Sequence, residues 1–267
     1  MNPRQVRRRQ AVDELVDSVA LDEFHAAHGD PEFARVVVVA AAYHERENIG
    51  RVLDALPAEL CGEPISFLVV IDGEEDGTAE FVRKSGHYAV IAPVNRGQGA
   101  ALRLGYRVAA EHGAHYIVTA DADGQSDPAD LAVVLRPVLA NEADLVTGSR
   151  RLGRTESADI VRNFGIVFFA VVITALTGTK VTDVANPIRA MRADLPLRLT
   201  LAEPQYQSSE LLIGAVMGGA RYAERPVTML ARVSGHSKKG GNLVYGYRFT
   251  RVVLRTWWRE RRARRSR

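Results

Sequence analysis

Val118-Thr119-Ala120-Asp121-Ala122-Asp123-Gly124-Gln125-Ser126-Asp127-Pro128 is the stretch that decides how this chain folds. The run from His115 to Ala120 predicts a short buried strand, and two carboxylates, Asp121 and Asp123, stand one residue apart at its end. Alternate residues of a strand point the same way, so both side chains turn toward one small volume as the strand ends. Two carboxylates held that close repel unless something positive sits between them. A hard divalent cation, Mg²⁺ or Mn²⁺, takes oxygen ligands and keeps positions open for substrate phosphates. Asp127 and Pro128 then predict a helix start, the first as N-cap and the second at the first helical position. An isolated Asp-X-Asp is more often a solvated turn and a cap. Here it closes a buried strand inside an alternating strand-helix chain, which favours a site for a metal and a diphosphate.

The alternation runs outward on both sides. Arg35 to Tyr43 is a continuous β-branched and small apolar run, the pattern of a strand buried on both faces. The segments 47–56, 78–85 and 98–111 read as helices, and 65–71 and 88–92 as strands. After the central strand come a helix from Pro128 and a strand over 144–147. A polar, Arg-rich loop is expected over 150–159, an apolar helix near 161–176, a polar segment over 179–193, a helix near 208–217 and a strand near 221–230. Strands alternating with helices predict an α/β fold with a mainly parallel sheet covered on both faces. Ligands of such sheets bind beyond the carboxyl ends of the strands. Those ends carry Tyr43-His44-Glu45, Asp72-Gly73, Asn95-Arg96-Gly97, Asp121 with Asp123, and Gly148-Ser149-Arg150.

With 267 residues, 46% hydrophobic and 25% charged, the chain has the composition of an ordinary globular protein. One cysteine, Cys61, excludes a disulfide framework and fits a reducing compartment. No secretory signal is read at the N-terminus. The net charge of +3 hides a polarity: nine Arg and one Glu in 248–267 and four Arg in 1–9 leave −9 over residues 10–247. Basic ends on an acidic body point to a polyanionic partner. Phe249, Val252, Val253, Thr256 and Trp257 fall on one helical stripe flanked by arginines, the pattern of a helix lying in a membrane interface. A nucleic-acid tail would not need that stripe, so no nucleic-acid partner is expected; docking of the stripe onto the chain's own core is the competing reading. The apolar run Phe164 to Leu176 has 13 residues, short of the roughly 20 that cross a bilayer. It reads as a core helix or one lying against a membrane, not a transmembrane span. At the other end, residues 1–34 read as a helical extension. His25 and His28 fit exposed polar residues around the Gly29-Asp30-Pro31 turn better than metal ligands.

In the order of its motifs, over roughly 35–245, the chain resembles the family-2 glycosyltransferases of GT-A fold, and among them the polyprenyl-phosphate glycosyltransferases. Tyr43 to Ile49 is similar to the family's first-strand motif, Val70 to Thr78 to its second, and Asn95 to Ala101 to its Gly-rich segment. The stretch 121–128 is similar to the Asp-X-Asp motif. Gly148-Ser149-Arg150 and Val161-Arg162-Asn163 resemble the acceptor-side arginines, and 183–189 and 232–241 resemble the closing segments. Ile71 stands where the family has a first Asp, which leaves Asp72 to contact the base.

The resemblance implies an inverting, metal-dependent glycosyltransferase that moves a sugar from a nucleotide-sugar donor, a GDP- or UDP-sugar, to a polyprenyl-phosphate lipid. Residues 35–247 would form the GT-A domain, followed by the basic amphipathic tail 248–267. Asp121, Asp123 and Gln125 would hold Mg²⁺ or Mn²⁺ and the diphosphate; Tyr43, Glu45 and Asp72 would line the nucleoside pocket. The acceptor phosphate, already ionised, needs cations rather than a base, and Arg150, Arg162, Arg232 and Lys238 are the candidates. Asp183 would orient the acceptor; alternatively Asp183 or Glu210 acts as base toward a soluble hydroxyl acceptor. A third, non-enzymatic reading is a nucleotide- or nucleic-acid-binding protein. The expected location is cytoplasmic, held peripherally at an anionic membrane face.

Overall fold

The structure is a computed structural model describing residues 3–73, 76–155, 160–230 and 242–265, with side chains over 11–73, 76–155, 163–230 and 246–265. A first helix, α1 (Pro3–His28), leads into β1 (Val36–Ala42), α2 (Ile49–Ala55), β2 (Glu59–Leu60) and β3 (Glu63–Asp72). Then follow α3 (Thr78–Lys84), β4 (Tyr88–Ala92), α4 (Gln98–Glu111), β5 (Tyr116–Asp121) and α5 (Pro128–Leu139). The second half is β6 (Leu145–Thr155), α6 (Ile160–Thr177), β7 (Arg189–Arg192), α7 (Asp194–Leu197), α8 (Gln207–Met217), β8 (Tyr222–Met229) and α9 (Asn242–Arg265).

The sheet runs β4-β3-β1-β5-β7-β6-β8, with β2 hooked onto the start of β3. Pairings are parallel except around β2 and β7, which is antiparallel to both its neighbours. This is the mainly parallel α/β sheet expected. Strand alternation divides its core in two. Val37 and Val39 of β1 point to a layer with α1, α4, α6, α8 and α9, while Val36, Val38 and Ala40 point to a layer with α2, α3 and α5. Both faces being covered explains why β1 reads as an unbroken apolar run rather than an alternating one.

The structure departs from the sequence-based outline in three places. Residues 150–155 are strand, not loop: β6 continues beside β8 after a register shift between Ser149 and Arg154. Their polarity reflects exposure, since residues 151–155 all lie on the surface. The polar segment 179–193 contains β7, whose two arginines, Arg189 and Arg192, mask a strand inserted between β5 and β6. The tail stripe is turned inward. Phe249, Val252, Val253 and Thr256 are each at most 2% exposed, and Phe249 packs on Phe169 of α6 with ring centroids 4.3 Å apart. Helix α1 is packed down as well, with Ala20 and Phe24 fully buried in the same core layer as α4.

Phe249→Ala should therefore act as a large-to-small core change and lower unfolding free energy by about 3–5 kcal/mol. Urea unfolding checks this. A cost under about 1 kcal/mol would mean that α9 does not dock on the body in solution.

Candidate functional site

Three neighbouring strands bring their ends together. Ala42 of β1 is level with Ile71 of β3, and Ala41 is level with Asp121 of β5, so Tyr43, Asp72 and Asp121 emerge on one edge of the sheet. Strands lie about 4.8 Å apart, which separates the Asp72 and Asp121 backbones by two spacings, roughly 10 Å.

At this edge Asp72 is 3% exposed and organises the Gly-rich segment. Its Oδ1 accepts from the Arg96 amide at 2.8 Å and its Oδ2 from the Gly97 amide at 2.7 Å. Burial pushes the carboxyl up, against the pull of those two amides. The Arg96 side chain turns away to Asp13 and Asp17 of α1, with its Nη2 2.6 Å from Asp17 Oδ1. The glycines of this segment answer to a close approach. The Gly99 amide donates to the Pro204 carbonyl at 2.7 Å, and a Cβ on Gly99 would lie 2.3 Å from the Glu203 carbonyl oxygen. The start of α4 is thus closed by segment 203–204, while Gln98 beside it donates to Asp121 Oδ1 at 3.4 Å.

The first-strand loop is tied to the second by Asp76, which accepts from the Arg46 amide and from Thr78. Glu45 accepts from the Asn48 side chain at 2.8 Å, and Tyr43, 37% exposed, stacks edge-on against His44. Beyond β5, Asp123 Oδ1 accepts from the Gln125 amide at 3.1 Å, and Asp127 caps α5 by accepting from the Ala129 amide. Gln125 and Ser126 bridge to the end of β8 through Leu230 and Met229. A small cleft there is lined by Gln125, Asn186, Pro187 and Met229, among others.

Arg150 and Asp183 are brought together, but as each other's partners. The guanidinium grips the carboxylate through Nε at 2.6 Å and Nη2 at 2.7 Å, the Arg150 amide adds a third bond, and Asp183 is buried. Glu224 accepts from the amides of Thr182 and Asp183 and fixes that segment from below. Glu210, fully buried, accepts from the amides of Ala202 and Glu203 and from Arg259, so it joins α8 to α9 rather than lining the sheet edge. The Arg162 side chain, Arg232 and Lys238 lie outside the described residues.

One residue given no role in the sequence reading is Arg189. It is buried opposite Thr119, two residues before Asp121, and donates to the Asn186 carbonyl at 2.6 Å and to Ser208. Burial pulls its pKa down, partly offset by Tyr106 and Asp121 nearby. Its place at the end of the 183–189 segment of the resemblance is the signal available for it.

Asp121 and Asp123 fit a hard divalent ion. They supply carboxylate oxygens, and the Gln98 side chain and Gln125 amide orient them without displacing them from the strand end. A pair of carboxylates is the protein's usual share of a Mg²⁺ or Mn²⁺ site completed by water and phosphates.

Residues 37–195 match the profile of Glycosyl transferase family 2. An uncharacterized protein of Methanocaldococcus jannaschii is 32% identical over 80% of this chain and 88% of its own length. An undecaprenyl-phosphate mannosyltransferase of Micrococcus luteus is 28% identical, covering 79% and 89%. A dolichyl-phosphate hexose transferase of Haloferax volcanii is 29% identical, covering 83% and 95%. Among solved structures, glucosyl-3-phosphoglycerate synthase of Mycobacterium tuberculosis with Mn²⁺, UDP and glucosyl-3-phosphoglycerate superposes with a TM-score of 0.64. It is 21% identical over 90% of this chain and 83% of its own, a likeness of fold.

Arg150→Met should strand the Asp183 carboxylate in the interior and cost about 3–5 kcal/mol of stability. The double variant Arg150→Met with Asp183→Leu should recover most of that loss, because no lone charge stays buried. Equal urea midpoints for the single and double variants would show that the pair is not coupled.

Proposed function

The chain belongs to glycosyl transferase family 2, and from that premise we propose that it transfers a sugar from a nucleotide-sugar donor to a polyprenyl phosphate at a membrane surface. The observation that carries this reading is the junction of two facts. Asp121 and Asp123 close the central strand, and relatives matched along nearly their whole length include an undecaprenyl-phosphate mannosyltransferase and a dolichyl-phosphate hexose transferase.

Asp121 and Asp123 hold Mg²⁺ or Mn²⁺, as Asp-bearing ends of parallel strands suit, and Gln125 stands beside them. When bound, the ion supplies Lewis-acid stabilisation of the nucleoside diphosphate that leaves. Gln98 orients Asp121, and the Gln125 amide restrains Asp123. Tyr43, Glu45 and Asp72 border the nucleoside. Asp72 already accepts two amides, but a carboxylate has about four acceptor positions, so it can still take a hydrogen bond from the base. The sugar passes to a phosphate oxygen that is ionised at neutral pH, so no general base is required. Arg162, Arg232 and Lys238 are the cations proposed for the acceptor phosphate. Arg150, gripped by Asp183, shapes the acceptor side of the site and offers the phosphate less than a free guanidinium would. The hydroxyl-acceptor alternative needs a carboxylate base. Asp183 and Glu210, the two acids offered for it, are both buried and committed to cations.

For the membrane, the support lies on outward-facing residues rather than on the buried stripe. Helix α6 exposes Phe164 (73%), Phe168 and Val171, and α9 exposes Tyr247, Leu254 and Trp258 among surface arginines that include Arg248 and Arg251. No helix among the described residues is long and apolar enough to cross a membrane.

Asp123→Asn should preserve the fold and lower turnover on the order of 100-fold, equivalent to about 3 kcal/mol of barrier. The assay is radiolabelled sugar transfer to a polyprenyl phosphate; full wild-type turnover in excess chelator would refute the metal assignment. Phe164→Ser with Phe168→Ser should weaken binding to anionic vesicles at least ~10-fold, since each half-inserted ring contributes about 1 kcal/mol. Nucleotide binding by the same variant should be unchanged. Vesicle sedimentation reads the effect, and unchanged sedimentation would remove α6 from the membrane interface.

A further inference from the structure

The opposite end of the sheet carries a side-chain cluster that the proposed reaction leaves unused. His112 closes α4 and its side chain is 3% exposed. Its Nδ1 lies 2.8 Å from the Val108 carbonyl oxygen. A carbonyl only accepts, so Nδ1 carries a proton, and in the neutral ring Nε2 keeps the lone pair. That Nε2 is buried and makes no hydrogen bond among the described residues. It faces Asp30, whose Oδ1 is 3.5 Å away, and the His25 ring, centroid to centroid 5.4 Å from its own. Ligand atoms of His25, Asp30 and His112 all fall within 4.8 Å of one another.

We propose that His25, Asp30 and His112 form a site for a borderline divalent transition ion of the Zn²⁺ class, which pins the end of α1 to the end of α4. Two imidazole nitrogens and one carboxylate select such an ion over Mg²⁺, which prefers oxygen alone. Ligand bonds of about 2.0–2.1 Å in tetrahedral geometry put donor atoms roughly 3.4 Å apart, close to the observed His112–Asp30 separation. The Val108 carbonyl supplies the outer-shell bond that metal-binding histidines characteristically make through their second nitrogen. Phe24 and Phe33, each with its ring centroid 5.3 Å from that of His112, wall the inner side. His25 and Asp30 are exposed, so a fourth position opens to water. The 14 residues of α4 span about 21 Å, which separates this site from the Asp121 end of the sheet. The same helix α1 also carries Asp13 and Asp17, which hold Arg96 beside Asp72.

The test uses tag-free full-length chain carrying Asp121→Asn and Asp123→Asn, so that the donor-side carboxylates take up no ion. After stripping with a chelator, Zn²⁺ is titrated against a chromophoric competitor, and Co²⁺ is added separately as an absorption probe. One Zn²⁺ equivalent per chain and the visible bands of four-coordinate Co²⁺ are expected. His25→Ala and Asp30→Ala alter exposed side chains and leave the core intact. Each should lower affinity by more than the ~10–100-fold that loss of an outer-shell partner costs. Less than one equivalent in the parent, or uptake by both variants equal to the parent's, overturns the proposal. Either result leaves the reading of the Asp121 site untouched.

Discussion

The constraint on which this molecule depends is the in-register parallel pairing of β3, β1 and β5. Val36 of β1 is level with Ile65 on one side and Tyr116 on the other, and the pairing holds for six or seven residues. A slip of one residue would turn every side chain of β1 to the opposite face and break both core layers at once. Because the register is fixed by burial on two faces, the polar residues beyond the strand ends have no freedom in where they appear. Tyr43, Asp72 and Asp121 meet because Val37 and Val38 cannot exchange faces.

Around that rigid centre the chain repeatedly buries acids with cations or amides. Asp183 takes Arg150, Glu210 takes Arg259 and two amides, Arg96 takes Asp13 and Asp17, and Asp72 takes the amides of Arg96 and Gly97. Buried ion pairs repay their desolvation poorly, so they are weak evidence for stability. What these pairs do is fix segments that have no regular structure of their own: 95–97, 182–183 and 202–203. Those segments border the sheet edge. Removing one partner leaves a charge without compensation, whereas an apolar pair of similar volume would keep the core and lose the directional hold.

Much of this was legible in the sequence, and what escaped did so for physical reasons. The long apolar runs of β1 and β3 announce strands buried on both faces, and Asp127-Pro128 announces the helix start that the Ala129 amide confirms. Strand β7 escaped because a buried arginine, Arg189, sits where an apolar residue belongs, satisfied by the nearby Asn186 carbonyl and by Ser208 nineteen residues on, contacts that no periodicity reports. The partnership of Arg150 with Asp183 spans 33 residues and is equally invisible to spacing. Each belongs to a motif of the resemblance, but a motif does not state their mutual geometry. The glycines at 97 and 99 read as part of a Gly-rich segment, and in the structure Gly99 is required by the approach of Glu203 and Pro204.

The tail shows how one pattern can serve two ends. An apolar stripe with arginines on its flanks fits a lipid interface and a protein core alike, since both bury area at similar gain. Here the stripe takes the core: Val253 is fully buried, and Arg255 and Arg259 reach back to Glu203 and Glu210. Arg251 adds a longer pairing to Glu203 at 3.9 Å, so these basic charges are matched among the described residues. The exposed remainder is different in kind. Arg248, Arg261 and Arg265 stay on the surface of α9, and the neighbouring α6 presents Phe164, Phe168 and Val171 to solvent. A polyanion that is only polar would match the arginines and leave those rings in water, and an apolar protein surface would cover the rings and strand the charges. Lipid headgroups over an acyl layer would satisfy both terms, and the proposed membrane contact rests on these outward residues rather than on the buried stripe.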